Sequence, residues 1–298
     1  MRVAVIGIGS NSLRMLIADI DLKNAKFHRV ASDREGLRVF AALDANRNIS
    51  REMTVRACEC VCTMIAKARA YTVKNIHIFA TSAVRDAANR EEFCSHIFAV
   101  TEIMPKICSG ELEAKLSFLG ATEAGPSGMI DIGGGSTEVV IGDCEEIQMS
   151  TSLQIGAVRL FRKMPIHKVD DAYQVMAHIK AALAKGSSSH RIPQNLAWVG
   201  VGGTLTTIAA LEQNIPWTNK SAIHGFSLTR EAVRKNMERL AAMEMGIRAR
   251  LKGLQRERAD IIVHGLVILL ACMEEFQIDA ITVSEYGNLE GFLKYYYF

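Results

Sequence analysis

Several side chains in this sequence stand where chemistry on an anion is possible. Thr81-Ser82-Ala83-Val84-Arg85 offers two hydroxyls and a guanidinium directly after an apolar run. The planar guanidinium fork binds two phosphate oxygens at once, and Arg14, two residues past Ser12, has the same capacity. Glu113 opens a helical pattern, and a carboxylate beside bound phosphate can orient and deprotonate a water. Asp131 ends an apolar strand pattern, where an unpaired carboxylate is costly, and Glu138 follows in the next strand. Mg²⁺ prefers one or two carboxylates together with waters and substrate phosphates, which makes this pair the candidate cation ligands.

The elements that must position these groups are announced by one motif written twice. Val5-Ile6-Gly7-Ile8-Gly9-Ser10-Asn11-Ser12 stands near the N-terminus and Met129-Ile130-Asp131-Ile132-Gly133-Gly134-Gly135-Ser136 at mid-chain. Each is an apolar strand, a turn of small residues, and a second strand (Leu13–Asp19 and Thr137–Gly142). Glycine lets backbone approach a ligand closely, and successive N–H groups then form an anion-binding nest. Gly202-Gly203-Thr204 is a third such turn after an apolar strand. Two copies, one per half, imply two related domains gripping a phosphate chain from opposite sides. The copies differ at one position: Asp131 in the second, Gly7 in the first.

Composition sets the frame. At 298 residues, 49% hydrophobic and 22% charged, the chain is an ordinary globular sequence long enough for two domains with full cores. Its longest apolar stretch, Ile261–Met273, contains His264 and is too short to span a bilayer. A cytoplasmic protein without membrane or nucleic-acid partners is expected; the net charge of +3 is mild and by itself identifies no partner. Seven cysteines without metal spacing read as buried free thiols of a reducing compartment; Cys58 and Cys62 share a helix face.

Periodicity and punctuation give alternating strands and helices, an α/β architecture of mixed sheets flanked by helices. Strands are expected at Arg2–Ile6, Leu13–Asp19, Phe27–Ala31 and Asn75–Ala80, with a short one ending at Ile107. Helices are expected from a Ser50 cap to Tyr71, over Asn89–Phe98, and from a Ser109 cap to Gly120. Gly125-Pro126-Ser127-Gly128 breaks the chain, so domains of 1–124 and 125–298 are expected. The second half repeats the scheme with strands Met129–Ile132, Thr137–Ile141, Ile147–Thr151, Ala197–Val201 and Ala280–Val283. Its helices are expected at Asp170–Lys185, Thr204–Leu211, Thr229–Met243 and Glu257–Phe276, with a last one to Phe298. The serine-rich Gly186–His190 reads as a loop, and Arg248, Arg250, Lys252, Arg256 and Arg258 as a stretch that could track a polyanion.

These motifs together resemble the exopolyphosphatase/guanosine pentaphosphate phosphohydrolase (Ppx/GppA) family of the actin–Hsp70–sugar kinase superfamily, in its short two-domain form. The resemblance is carried by Gly9-Ser10-Asn11-Ser12-Leu13-Arg14, Ala80–Ala87, Ser109–Leu116, Asp131–Glu138, Gly156-Ala157-Val158-Arg159-Leu160, Gly202-Gly203-Thr204, Arg258-Ala259-Asp260 and Ser284-Glu285-Tyr286-Gly287. It implies two duplicated ribonuclease H-like lobes with an inter-domain cleft, the final helix, about 287–298, packing back on the first lobe. It also implies Mg²⁺- or Mn²⁺-dependent release of terminal phosphate from polyphosphate or guanosine pentaphosphate, with guanosine tetraphosphate a further candidate ligand; a homodimer is expected only as the general default for soluble proteins. By position, Glu113 matches the catalytic base. Arg14, Arg85, Ser10, Asn11, Ser12, Gly133, Gly134, Gly135, Ser136, Gly203 and Thr204 match phosphate-binding elements, and Asp131 and Glu138 the acidic residues near the metal.

Two positions depart from the family pattern. Gly7 replaces an Asp, and Leu289, in Gly287-Asn288-Leu289-Glu290-Gly291, replaces an Arg. Losing a metal-organising or charge-stabilising group costs about 10²–10³-fold in phosphoryl transfer, which admits a second reading as a polyphosphate or alarmone binding protein without turnover. A third, a sugar or acetate kinase of the same superfamily, is opposed by Glu113 in its Ser-Gly-Glu context and by the missing first-turn Asp.

Overall fold

The computed structural model describes residues 1–143, 145–187 and 196–298. In chain order its elements are β1 (Arg2–Ile8), β2 (Ser12–Asp21), β3 (Lys26–Gly36), α1 (Arg51–Ala70), β4 (Asn75–Ala80), α2 (Ser82–Arg85), α3 (Arg90–Thr101), β5 (Lys106–Ile107) and α4 (Gly110–Ala121). There follow β6 (Ser127–Ile132), β7 (Thr137–Gly142), β8 (Ile147–Leu153), α5 (Ala157–Lys163), α6 (Val169–Ser187), β9 (Ala197–Val201), α7 (Gly203–Glu212) and α8 (Lys220–Ile223). The chain closes with β10 (Ser227–Thr229), α9 (Arg230–Ala241), α10 (Met245–Arg248), α11 (Ile262–Glu275), β11 (Ala280–Val283) and α12 (Asn288–Tyr297). These fall into two compact units, Met1–Gly120 with Asn288–Phe298, and Ala121–Gly287.

Unit 1 is a five-stranded mixed sheet in the order β3-β2-β1-β4-β5. β1 pairs antiparallel with β2 and parallel with β4, and the register sets Gly7 opposite Arg14. Ser50 caps α1 by accepting from the Met53 N–H at 3.2 Å, and the Ser109 hydroxyl accepts from the Leu112 N–H at 3.1 Å to start α4. One face of the sheet buries Val3, Val5 and Leu16 against Phe79, Leu116, Leu289, Phe292 and Leu293. Full burial of each such side chain contributes about 1.5–3 kcal/mol. α12 can lie this close because Gly291 has no Cβ; one there would sit 1.7 Å from the Leu116 carbonyl oxygen of α4.

Unit 2 carries a six-stranded sheet, β10-β11-β9-β6-β7-β8. Its β6-β7 hairpin, with β9 parallel to β6, repeats the β1-β2-β4 arrangement of unit 1. α11 is apolar all round and buried from Ile262 to Met273, as a central core helix must be. It begins five residues later than the sequence pattern suggests, because Arg256–Arg258 forms a 3₁₀ turn first. The short α5 and α8 and the three-residue β10 escape the periodicity argument, which needs longer windows. α6 runs through Ser187, so the first two positions of the serine-rich stretch are helical; residues 188–190 lie outside the described residues. Among the described residues no helix is long and apolar enough to cross a membrane.

Candidate active site

In unit 1 the β1–β2 turn is held so that its carbonyls are consumed. The Gly9 N–H donates to Ser12 O at 3.1 Å, Phe40 N–H donates to Ser10 O, and Leu37 and Arg38 N–H both donate to Asn11 O. Carbonyls occupied in this way leave the turn's remaining amides for a ligand. Ser10 Oγ lies 2.7 Å from Ser82 Oγ at the start of α2, which ties this turn to the Thr81–Arg85 segment. Asn11 is buried, and neither its side-chain oxygen nor its nitrogen has a hydrogen-bond partner among the described residues. A buried amide left open costs about 1–3 kcal/mol, which a polar ligand at the turn would recover.

Arg85 and Glu113 meet in the same unit. Arg85 Nη1 donates to Glu113 Oε2 at 2.7 Å and to the Cys108 carbonyl at 3.1 Å, while its buried Nη2 has no partner among the described residues. Both side chains are largely enclosed, at 15% and 9% exposure. One nitrogen of the fork thus fixes the carboxylate, and the other is buried with its hydrogen-bonding capacity unused among the described residues. Cys108 sits beside them; burial first and then the Glu113 charge push its thiol up to about 12, so it stays neutral and takes no part as a thiolate. Arg14, opposite Gly7, donates from Nη2 to Asn288 Oδ1 at 2.9 Å, and Ser12 begins β2 as a buried residue.

Unit 2 repeats the turn. The Gly133 N–H donates to Ser136 O at 2.9 Å, while α5 caps the other carbonyls: Ala157 N–H on Gly133 O, and Val158 and Arg159 N–H on Gly134 O. Arg159 Nε adds a bond to Gly135 O at 2.7 Å. The approach needs Gly156, where a Cβ would lie 2.4 Å from Gly134 O. Ser136 is buried within the turn. Asp131 and Glu138 are direct cross-strand partners in β6–β7 and therefore lie on one face. Both are buried, and Glu138 accepts from Ser152 Oγ at 2.8 Å.

The third turn adjoins Asp131: a Cβ on Gly202, at φ +101°, would be 3.2 Å from its Oδ1. Gly203 opens α7, whose first N–H groups carry the positive end of the helix dipole. The Thr204 hydroxyl is turned against α11, where a Cβ on Gly265 would lie 2.2 Å from it.

Arg258 is a neighbour that spacing did not single out. Its guanidinium covers Gly203, where a Cβ would fall 2.0 Å from Nη1, and its Nε donates to Gln255 at 3.0 Å. Its signals in the sequence were its place in Arg258-Ala259-Asp260 and in the basic stretch Arg248–Arg258. The remainder of the basic stretch divides. Arg248 is buried, donating to the Ala259 and Met243 carbonyls at 3.0 and 2.9 Å, so it holds loops together instead of facing solvent. Arg250, Lys252 and Arg256 are exposed. Cys94, Cys108 and Cys272 are buried free thiols, whereas Cys58, Cys60 and Cys62 are only half-buried.

The donor set of Asp131 and Glu138 is all oxygen and doubly anionic. It fits a hard divalent cation that keeps waters and substrate oxygens as its other ligands, and no third His, Cys, Asp or Glu joins them among the described residues. Two carboxylates at one register position repel each other, which a cation would offset.

A profile of the Ppx/GppA phosphatase family matches residues 16–295. The chain belongs to that family. It is 32% identical over 314 residues to exopolyphosphatase 2 of Mycobacterium tuberculosis, with 97% of each chain covered. It is 30% identical to the guanosine-5'-triphosphate,3'-diphosphate pyrophosphatase of Aeromonas salmonicida, spanning 97% of this chain and 58% of that one. The crystal structure of the Aquifex aeolicus Ppx/GppA family member superposes with a TM-score of 0.83 at 26% identity, covering 99% and 97% of the two chains. The two mixed sheets flanked by helices are thus the actin-like two-domain fold of Ppx/GppA structures.

Proposed function

We propose that this protein is a phosphohydrolase that releases the terminal phosphate of inorganic polyphosphate or of guanosine pentaphosphate. The observation that carries the reading is the buried Arg85–Glu113 pair, with one guanidinium nitrogen on the carboxylate and the other open. Family membership supports it, since relatives named for each substrate align along nearly the whole chain.

In the proposed reaction a water attacks the terminal phosphorus in line with the departing phosphate. Glu113 orients that water and accepts its proton. Arg85 holds Glu113 in one rotamer and offers its open nitrogen to the transferred group. Ser10, Asn11, Ser12 and Arg14 of unit 1, and the amides of Gly133, Gly134, Gly135, Ser136, Gly203 and Thr204 of unit 2, serve as donors to phosphate oxygens. Asp131 and Glu138 would hold Mg²⁺ or Mn²⁺, which supplies charge neutralisation to the phosphates when bound. We place the reaction in the cytoplasm, where free thiols such as Cys94 and Cys272 persist, and expect a homodimer.

The test is phosphate release from each substrate with and without Mg²⁺ or Mn²⁺. Release from at least one, lost on chelation, is the expected result. Tight binding of both with no release under any metal would contradict it.

A further inference from the structure

The loop that precedes α11 is closed by one buried side chain. Arg248, at the end of α10, is 7% exposed, and its guanidinium donates to Met243 O at 2.9 Å and to Ala259 O at 3.0 Å. One carbonyl stands before the loop and the other after it, so a single fork ties both ends. Both acceptors are neutral. Desolvation holds Arg248 below the usual arginine range, and the Asp260 charge opposes this. An apolar side chain would fill the same space without the cost of burying a cation, so the fork serves geometry more than packing.

The loop itself, residues 249–258, has a fixed shape. The Leu251 and Leu254 N–H groups donate to Arg248 O and Leu251 O, and the Arg258 N–H donates to Gln255 O. Leu254 is buried in the core of unit 2. Gly253, at φ +96°, lets the loop sit against α7: a Cβ there would lie 2.9 Å from the Ala210 carbonyl carbon and 3.0 Å from Ile215 O. The last residue of the loop is Arg258. A Cβ on Gly203 would lie 2.0, 2.1 and 2.2 Å from Arg258 Nη1, Cζ and Nη2, so the guanidinium lies flat over the first residue of α7. Arg258 Nε donates to Gln255 Oε1 at 3.0 Å, which orients the fork from within the loop. The residue after Arg258 is Ala259, whose carbonyl Arg248 holds. The Arg258 cation and the positive end of α7 therefore meet at one place.

We infer that Arg248 is a positioning residue for phosphate binding: it closes the 249–258 loop and thereby holds Arg258 at the N-terminus of α7, where cation and helix amides serve one anion. Arg248 itself touches no ligand. The inference rests on the proposed function in taking the Gly203 and Thr204 amides as phosphate donors.

The test is calorimetric binding of tripolyphosphate to the full chain without divalent cation, with melting temperature recorded for each variant. R258A should weaken binding about tenfold or more, the loss of a charge-assisted pair. R248M should weaken it about fivefold or more, and R248M/R258A should stay within about twofold of R258A, because Arg248 acts only through Arg258. A merely structural role would lower the melting temperature or the binding stoichiometry and leave the affinity of the folded fraction unchanged. Wild-type affinity in R248M, or equal losses from R248M with and without Arg258, would overturn the inference. Should R248M fail to fold, R248K, which keeps the charge but not the fork, is judged by the same two criteria. A wild-type chain that binds no tripolyphosphate also overturns it, while Glu113-dependent phosphate release in the same preparation would leave the proposed reaction standing. The expected affinity pattern in a chain that releases no phosphate would support the inference and sink the reaction.

Discussion

Replacing Arg85 by Met removes the two functions proposed for one guanidinium. The first is the 2.7 Å ion pair with Glu113. Removing one partner of a buried pair costs about 3–5 kcal/mol, and partial exposure of both side chains lowers this to about 2–3 kcal/mol. The carboxylate then loses its stabilising cation, so protonation competes with its role as base. The acidic limb of the pH–rate profile for phosphate release should move to higher pH. The second function is the open Nη2. Loss of one preorganised donor to a transferred phosphoryl group costs about 10²–10³ in kcat. R85M should therefore lose at least about 100-fold at pH 7 and recover part of it at pH 9. R85K keeps a charge but cannot serve Glu113, the Cys108 carbonyl and an oxyanion together, and should lie between wild type and R85M. The assay is steady-state phosphate release from short polyphosphate between pH 5 and 9. Activity of R85M within threefold of wild type, with an unshifted profile, would refute the two-function reasoning.

Three further outcomes follow from named contacts. G156A should collapse the approach of α5 to the Gly133–Gly135 turn and cut phosphate release by at least tenfold, because its Cβ meets Gly134 O at 2.4 Å; kinetics beside circular dichroism will show it. His264 is buried with its pKa lowered by desolvation, so the unfolded chain takes up a proton first as pH falls below about 6.5. Stability should decline on that side, and H264Q should flatten the slope in urea titrations between pH 5 and 7. The Cys108 thiol, pushed up to about 12, should resist alkylation in the native protein at pH 8 and react once it is denatured; mass spectrometry reads both states.

Much of the frame was legible in the residues because duplicated strand–turn–strand motifs leave few alternatives. The β1–β2 and β6–β7 hairpins, the Ser50 and Ser109 caps and the helix Arg230–Ala241 follow from apolar alternation, small-residue turns and capping hydroxyls. What stayed hidden depends on contacts distant in sequence. Arg258 lies over Gly203 only once the 3₁₀ turn at Arg256–Arg258 has formed. Arg248 reads in the sequence as part of a basic stretch that could track a polyanion, yet its guanidinium serves two backbone carbonyls in the interior. The Thr204 hydroxyl lies close against Gly265 of α11, a contact that its own turn does not announce. Gly7 read as a missing carboxylate; the Phe79 ring that fills its place could not be inferred from β4 alone.

The central claim is that Glu113, fixed by Arg85, is the base that activates water. It is tested most directly by phosphate release from polyphosphate and guanosine pentaphosphate by E113Q, with binding of both measured on the same protein. The account predicts a fall in kcat of about 10²–10⁴ with affinity little changed. E113Q that turns over either substrate within threefold of wild type would contradict it.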